Sequence, residues 1–202
     1  MDGNGRWASI NKKNRIYGHK QGVETVKTIT EACVKIGIKY LTLYTFSDEN
    51  WKRPNKEVLA LMKLLVTSLD KHLKLLLKNN IKLTVIGNMQ KLDIITRNKL
   101  NKVIEKTRSH DGMVLNLAIS YSGREEIVSA VNRIIESKYI KKIDQKKFNE
   151  YLYTVNMPEP DLLIRTGKEY RISNFLLWQI AYTEIYFSNK FWSEFKEIDL
   201  NN

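Results

Sequence analysis

"YLTLYTF", residues Tyr40–Phe46, runs without a break into "SDENWKRP", Ser47–Pro54. The first stretch is aromatic and β-branched, the composition of a buried strand. The second is polar and mostly charged, with Ser, Asp and Asn as helix caps and Pro54 placed for a first helical turn. The same handover occurs twice more. "MVLNLAI" (Met113–Ile119) is followed by "SYSGRE" (Ser120–Glu125), and "DLLI" (Asp161–Ile164) by "RTGKEYRIS" (Arg165–Ser173). Three strands that each deliver a polar cluster to one edge describe a sheet with its ligand site along that edge.

The intervening segments have the helical period. Val23, Val26, Ile29, Cys33 and Ile36 recur every three or four residues and predict a helix over Gln21–Ile36. Val58, Leu61, Met62, Leu65, Leu69, Leu73 and Leu76 predict a long one after the first polar loop. "IKLTVIG" (Ile81–Gly87) reads as a strand, then a helix runs through Leu92, Ile95, Leu100, Val103 and Ile104. A further helix carries Ile127, Val128, Val131, Ile134 and Ile135. "FLLWQIA" (Phe175–Ala181) is predicted helical, ahead of a last strand at "EIYF" (Glu184–Phe187). Alternation of this kind predicts an α/β protein built from right-handed βαβ units. The expected architecture is an open, mostly parallel sheet with helices on both faces and the active site at the carboxyl ends of the strands. With 202 residues the chain is expected to form one domain. "SKYIKKIDQKK" (Ser137–Lys147) reads as a solvated basic segment.

Hydrophobic and charged contents of 43% and 28% are ordinary for a globular domain, whereas the net charge of +12 is not. Nucleic acid, a membrane surface or a small polyanionic substrate would each suit it. A sequence rich in Lys, Asn and Ile, as AT-biased coding favours, supplies such an excess without any partner. One cysteine, Cys33, excludes a disulfide within the chain and a thiolate metal cluster. No apolar run reaches membrane-spanning length and no signal peptide is present, so the cytosol is the expected location.

The opening "MDGNGRWA" sets an acid, Asp2, in a turn made by Gly3, Asn4 and Gly5 and followed by Arg6 and Trp7. Glycines let backbone N–H groups approach a ligand closely. An acid in such a place repels anions unless a cation stands between, which points to a phosphate held with a divalent metal. Arg6, Arg15, Arg53, Arg124, Arg165 and Arg171 belong to the same edge, more guanidinium forks than one phosphate needs. Diphosphates fit, with Mg²⁺ on Asp2. No P-loop and no paired-aspartate DDxxD motif occurs. His19 shares a face with Arg15 if the segment is helical. His72 and His110 receive no role. Trp7, Trp51 and Trp178 read as core or rim aromatics, Trp7 and Trp51 flanking the polar clusters. The leucine-rich face from Leu59 to Leu76 reads as core, or as the wall of an apolar cleft.

"MDGNGRWA", "GHKQG" (Gly18–Gly22), "TLYTFSDENWKRP..EV" (Thr42–Val58) and "DLLIRTGKEYRISNFLLWQIAYTEIYF" (Asp161–Phe187), in this order, resemble the cis-prenyltransferases of the undecaprenyl diphosphate synthase type. The resemblance implies a Mg²⁺-dependent homodimer that adds isopentenyl diphosphate in cis geometry to an allylic diphosphate such as farnesyl diphosphate. Its product would be a polyprenyl diphosphate, the undecaprenyl carrier of cell-wall glycan synthesis, released by transient contact at the inner face of the membrane. It further implies that Asp2 is metal ligand and essential acid. Gly3, Asn4, Gly5, Arg6, Arg15 and His19 would cradle the allylic diphosphate, with Ser47 and Asn50 near the condensing carbons and Asn50 assisting proton removal. Arg165, Arg171 and Ser173 would hold the isopentenyl diphosphate, and Glu184 would add a metal contact from the partner subunit. Trp7, Asp48, Glu49, Trp51, Arg53 and Ile172, inside the matching motifs, complete the substrate-binding set.

In the family a hydrophobic strand precedes the first motif and an R-x-G tail follows "FWSEF" (Phe191–Phe195). The expectation is therefore a 1–202 domain lacking that first strand and tail, begun at an internal methionine of a longer reading frame. Lys168 stands where the family usually has glycine, in a turn needing positive φ. "SYSGR" replaces an Asn-Tyr-Gly-Gly-Arg run. Two rival readings are a non-catalytic subunit of a two-chain prenyltransferase and a basic nucleic-acid-binding domain, the latter requiring a surface stripe of cations and aromatics.

Overall fold

Met113–Tyr121 is the axis of the molecule. Every residue of this strand except Val114 is buried, which a strand tolerates only when it is covered on both faces and both edges. The computed structural model describes residues 1–137 and 142–201. In chain order these form α1 (Asn4–Ile10), α2 (Arg15–Lys35), β1 (Tyr40–Ser47), α3 (Asn55–Lys78), β2 (Ile81–Ile86), α4 (Ile94–Thr107), β3 (Met113–Tyr121), α5 (Gly123–Glu136), α6 (Gln145–Asn149), β4 (Leu162–Arg165), β5 (Glu184–Phe187) and α7 (Glu197–Asn201).

β3 pairs in parallel with β1 on one side (Tyr40↔Val114) and with β2 on the other (Ile81↔Met113). β4 and β5 form a second parallel pair (Leu162↔Glu184). Every pairing is parallel, as expected for βαβ units, and the hydrogen bonds divide the strands into groups of three and two. Met113, Leu115, Leu117 and Ile119 alternate onto one face of β3 and meet Ile29 and Cys33 of α2, Leu69 of α3 and Leu100 of α4. Ala118 on the other face joins Tyr121, Leu163, Leu176 and Ile180. Cys33 behaves as the small hydrophobe expected, buried and with its thiol pushed up to about 11 by that burial.

The long helices form where the apolar period places them. α2 starts earlier than its apolar pattern, because the Asn14 side chain accepts the Tyr17 N–H at 2.8 Å and caps it. That extension puts Arg15 and His19 one helical turn apart. "FLLWQIA" is a correction: these residues form a series of turns, not a helix. Ser173, Asn174 and Leu176 have φ of 52°, 63° and 45°, in the left-handed region that ends helices. The segment is held instead by tertiary bonds. Glu126, fully buried at the start of α5, accepts hydrogen bonds from Tyr121 Oη (2.5 Å), Gln179 Nε2 (3.0 Å) and the Tyr153 N–H (2.8 Å). The basic stretch Ser137–Lys147 falls partly on residues 138–141, outside the described residues; within it Asp144 caps α6 by accepting the Lys147 N–H.

α1 lies on α2 at Gly18, where a Cβ would strike the carbonyl of Asn4 and the Cβ of Ala8. Gly18→Ala is therefore expected to lower stability by about 1–3 kcal/mol, the cost of overpacking a closed contact, measured by urea unfolding. An unchanged midpoint would show that α1 is not seated there.

Candidate active site

Asp2 is fixed by its backbone before its side chain does anything. Its N–H donates to Thr166 Oγ1 at 3.0 Å and its carbonyl accepts from the Trp192 N–H at 2.9 Å. Both partners lie beyond residue 160, so the first residues of the chain are anchored at the carboxyl end of β4. Gly3 follows with φ of 97°, and a Cβ there would collide with the Phe191 ring. The Asp2 carboxylate accepts the Gly3 N–H at 2.6 Å and lies 2.9 Å from Arg165 Nη2 and 3.5 Å from Arg6 Nη2. Burial pushes this carboxyl up, but the Arg165 hydrogen bond, the Gly3 N–H and the charges of Arg165 and Arg6 outweigh it and hold it below the ordinary range.

Arg165 ends β4 and is 11% exposed in its side chain. Its Nη1 donates to Ser173 Oγ (2.7 Å) and to the Arg171 carbonyl, and its Nε is buried without a partner. Two carboxylates that sequence reasoning did not single out hold the other arginines. Glu57 pairs with Arg53 (3.0 Å) and Arg15 (3.4 Å), while Glu169 pairs with Arg6 (2.8 Å) and Arg171. Glu57 has one sequence signal, the helix spacing of four from Arg53. Glu169 has none, since its partners come from both ends of the chain. Lys168 occupies the left-handed turn (φ 58°) with its Nζ over the Phe191 ring at 5.2 Å, so the non-glycine is accommodated and adds a cation.

These groups surround the mouth of a cavity of ≈ 1290 Å³. Asp2, Gly3, Asn4, Gly5, Arg6, Arg15, His19, Ser47, Glu49, Asn50, Arg53, Arg165, Arg171, Ile172 and Ser173 all line it. Behind them the wall turns apolar, with Val23, Val26, Ile29 and Cys33 of α2, Leu61, Leu65, Leu69 and Leu76 of α3, and Leu83, Leu115 and Leu117 of the sheet. Lining residues run the whole length of β1, Tyr40 to Ser47, a span of roughly 26 Å for eight residues. The leucine-rich face of α3 is thus a cleft wall as well as core. His72, left without a role by the sequence, lines the cavity with a buried, unpartnered Nε2.

Five residues of the expected set are elsewhere. Trp7 stacks on Tyr17 (6.1 Å between rings) because α1 turns it away from the mouth. Trp51 packs edge-on against Phe46 and donates its indole N–H to Ser120 Oγ at 2.8 Å. Asp48 is taken by Lys91 at 2.6 Å. Arg124 faces a separate shallow surface groove on α5. Glu184 opens β5 opposite Leu162, so it is exposed at the amino end of the strand pair, three residues from the register of Arg165. Within one chain it is roughly 10 Å of strand away from the Asp2 edge. Among the described residues no cluster of three or more His, Cys, Asp or Glu forms a metal cage. Asp2 alone suits Mg²⁺, an ion that is commonly bound by one or two carboxylates plus substrate phosphates.

The family model described as "Putative undecaprenyl diphosphate synthase" matches residues 1–202. An isoprenyl transferase of Clostridium tetani (strain Massachusetts / E88) is 48% identical over 206 residues, covering 100% of this chain and 81% of its own. The ditrans,polycis-undecaprenyl-diphosphate synthase ((2E,6E)-farnesyl-diphosphate specific) of Micrococcus luteus is 47% identical, over 99% of this chain and 82% of that protein. The crystal structure of lavandulyl diphosphate synthase from Lavandula x intermedia, in complex with dimethylallyl diphosphate, superposes with a TM-score of 0.96 at 33% identity, covering 100% of this chain and 89% of that one. Parallel α/β architecture and arginine-rimmed apolar cavity here coincide with a defined class of enzymes. The chain belongs to the cis-prenyltransferases, in the undecaprenyl diphosphate synthase family of isoprenyl transferases.

His19 gives the site a pH signature. Its Nε2 is buried without a partner, and burial first, then the Arg53 and Arg15 charges, lower its pKa to about 4 against a partial opposing pull from Glu57. The imidazole is neutral at pH 7. Between its ordinary 6.5 and about 4 the unfolded chain binds the proton that the folded chain refuses, so stability falls as pH falls through that window. Wild type is expected to lose more stability than His19→Gln between pH 7 and pH 4.5 in urea unfolding. Equal losses would show that His19 is solvated.

Proposed function

We propose that this chain condenses isopentenyl diphosphate, in cis geometry, onto an allylic diphosphate such as farnesyl diphosphate, with residues 1–202 acting as one catalytic domain. One observation carries the reading: five guanidinium groups converge on the mouth of an apolar cavity, where Arg165 Nε and His19 Nε2 are buried and unpartnered. Diphosphates would supply what those atoms lack, and their prenyl chains would fill the apolar space behind. A nucleic-acid site would spread its cations along a surface; here they line a concave mouth. The non-catalytic reading fits poorly with the retention of Asp2, Asn50, Arg165 and Arg171 around that mouth.

The division of labour follows from position. Arg15 and His19 on α2 and Arg53 in the loop after β1, with Gly3 and the first turn of α1 (Asn4–Arg6), would receive the allylic diphosphate. Arg165, Arg171 and Ser173, at the end of β4 and just after it, would receive the isopentenyl diphosphate. Asp2 stands between the two groups. When bound there with substrate phosphates, Mg²⁺ would neutralise the departing diphosphate as the allylic C–O bond ionises. Guanidinium donors already held in place by Glu57 and Glu169 would stabilise the same developing charge without reorganising. Condensation then forms the new C–C bond, and Asn50, whose Oδ1 now accepts the Ser47 N–H at 3.2 Å, would assist loss of the proton. The apolar wall of α2, α3 and the sheet would keep water from the cation and house the lengthening chain.

A homodimer agrees with the surface. Tyr182 is 96% and Tyr186 54% exposed, on either side of Glu184 in the chain. Pairing through β5 would allow Glu184 of one protomer to serve the metal site of the other. No helix among the described residues is long and apolar enough to cross a membrane; product release would use peripheral contact.

Incorporation of labelled isopentenyl diphosphate into extractable lipid, with farnesyl diphosphate and Mg²⁺, tests the proposal. Turnover by the wild type is expected to fall roughly 10²–10³-fold in Asp2→Ala, the scale of losing one preorganised electrostatic group. Absence of any lipid product with the wild type would move the assignment to the non-catalytic subunit.

A further inference from the structure

Three loops leave the carboxyl ends of β1, β3 and β4, and one side chain of the third bonds to the other two. Asn174 Nδ2 donates to Glu49 Oε1 (2.8 Å) in the loop after β1 and to Ser122 Oγ (2.6 Å) after β3. Its Oδ1 accepts the Arg124 N–H (2.9 Å) and its carbonyl accepts the Gly123 N–H (2.7 Å), both in the first turn of α5. Asn174 itself belongs to the loop that follows β4. Both hydrogens of its amide are committed to protein atoms, so no donor remains for a ligand. The backbone sits at φ 63°, a conformation asparagine tolerates better than most residues. The loops lie in contact here: a Cβ on Gly123 would come within 3.0 Å of the Leu177 N and 3.2 Å of the Asn174 carbonyl.

We infer that Asn174 is the positioning residue that sets the diphosphate-binding geometry of Arg165, by tying the loop after β4 to the loops after β1 and β3. The inference rests on the diphosphate reading above. The connection is continuous. Glu49 holds Asn174; the adjoining Ser173 (φ 52°) accepts Arg165 Nη1; Arg165 Nη2 faces the Asp2 carboxylate. On the other side Phe175 stacks on Tyr44 of β1 at 4.5 Å, so the tie is flanked by a rigid contact rather than by free loop. Releasing the Asn174 amide from Glu49 and Ser122 loosens the loop that carries Ser173 and the Arg171 carbonyl, and the Arg165 fork loses its aim although Arg165, Arg171 and Ser173 are unchanged.

Asn174→Asp tests this with little change of shape. The substitution keeps the Oδ1 acceptor and tolerates the same φ, but removes the donor and sets a second carboxylate against Glu49. The expected result is a KM for isopentenyl diphosphate raised about tenfold, the scale of one lost hydrogen bond to a charged group, with kcat changed much less. Adding Glu49→Gln restores a donor between the two positions, so the double variant is expected to recover KM toward that of Glu49→Gln alone, the non-additivity of a directly coupled pair. Amide exchange at Gly123 and Arg124 is expected to quicken in Asn174→Asp. A KM equal to wild type in Asn174→Asp, or a raised KM with no recovery in the double variant, would overturn the inference. Wild type that neither turns over isopentenyl diphosphate nor binds inorganic pyrophosphate would overturn the diphosphate reading first, and the positioning role with it.

Discussion

The ion pair between Asp2 and Arg165 is the contact on which the site depends. It joins residues 163 positions apart, at 2.9 Å, and the Thr166 and Trp192 backbone contacts of Asp2 hold it in place. Through it Gly3 and the first turn of α1 lie beside the end of β4, and the cradle has two walls. On the proposed function the pair would also be a placeholder: Asp2 faces Arg165 in the free protein, and an arriving diphosphate would compete with it for the same guanidinium.

Around this pair, repulsion between like charges is managed by assignment. Five arginines share one mouth, and Glu57 and Glu169 each hold two of them from behind while Asp2 holds the fifth. Their guanidinium planes are therefore oriented before a ligand arrives, which lowers the ordering cost of binding. A neutral His19 follows from its burial first, and then from the charges of Arg53 and Arg15 in the same mouth. The apolar cavity behind the mouth has the opposite chemistry, and the boundary between them is where an amphiphile with a charged head and a hydrocarbon tail belongs.

Much of this was legible in the sequence because it is periodic or local. The strands Tyr40–Phe46 and Met113–Ile119 announce themselves by composition, the helices by spacing, and the strand-end loops by their abrupt polarity. What was not legible acts across the fold. "FLLWQIA" has helical composition, yet Glu126 and the left-handed residues at 173, 174 and 176 draw it into turns. Trp7 and Trp51 sit inside polar motifs but find aromatic partners, Tyr17 and Phe46, that only the tertiary structure supplies. Glu169 and Asn174 carry no periodic pattern; each has one partner more than a hundred residues away, Arg6 and Glu49. The placement of His72 in the cavity wall needed α2 and the sheet to be set opposite α3.

Calorimetric titration of inorganic pyrophosphate in metal-free buffer, into wild type and Asp2→Asn, tests the exchange at Arg165 most directly. If Asp2 occupies the anion's place, Asn at this position frees Arg165, and pyrophosphate binds the variant about tenfold more tightly than wild type, the scale of one charge-assisted hydrogen bond. Equal or weaker binding to Asp2→Asn would contradict competition for Arg165.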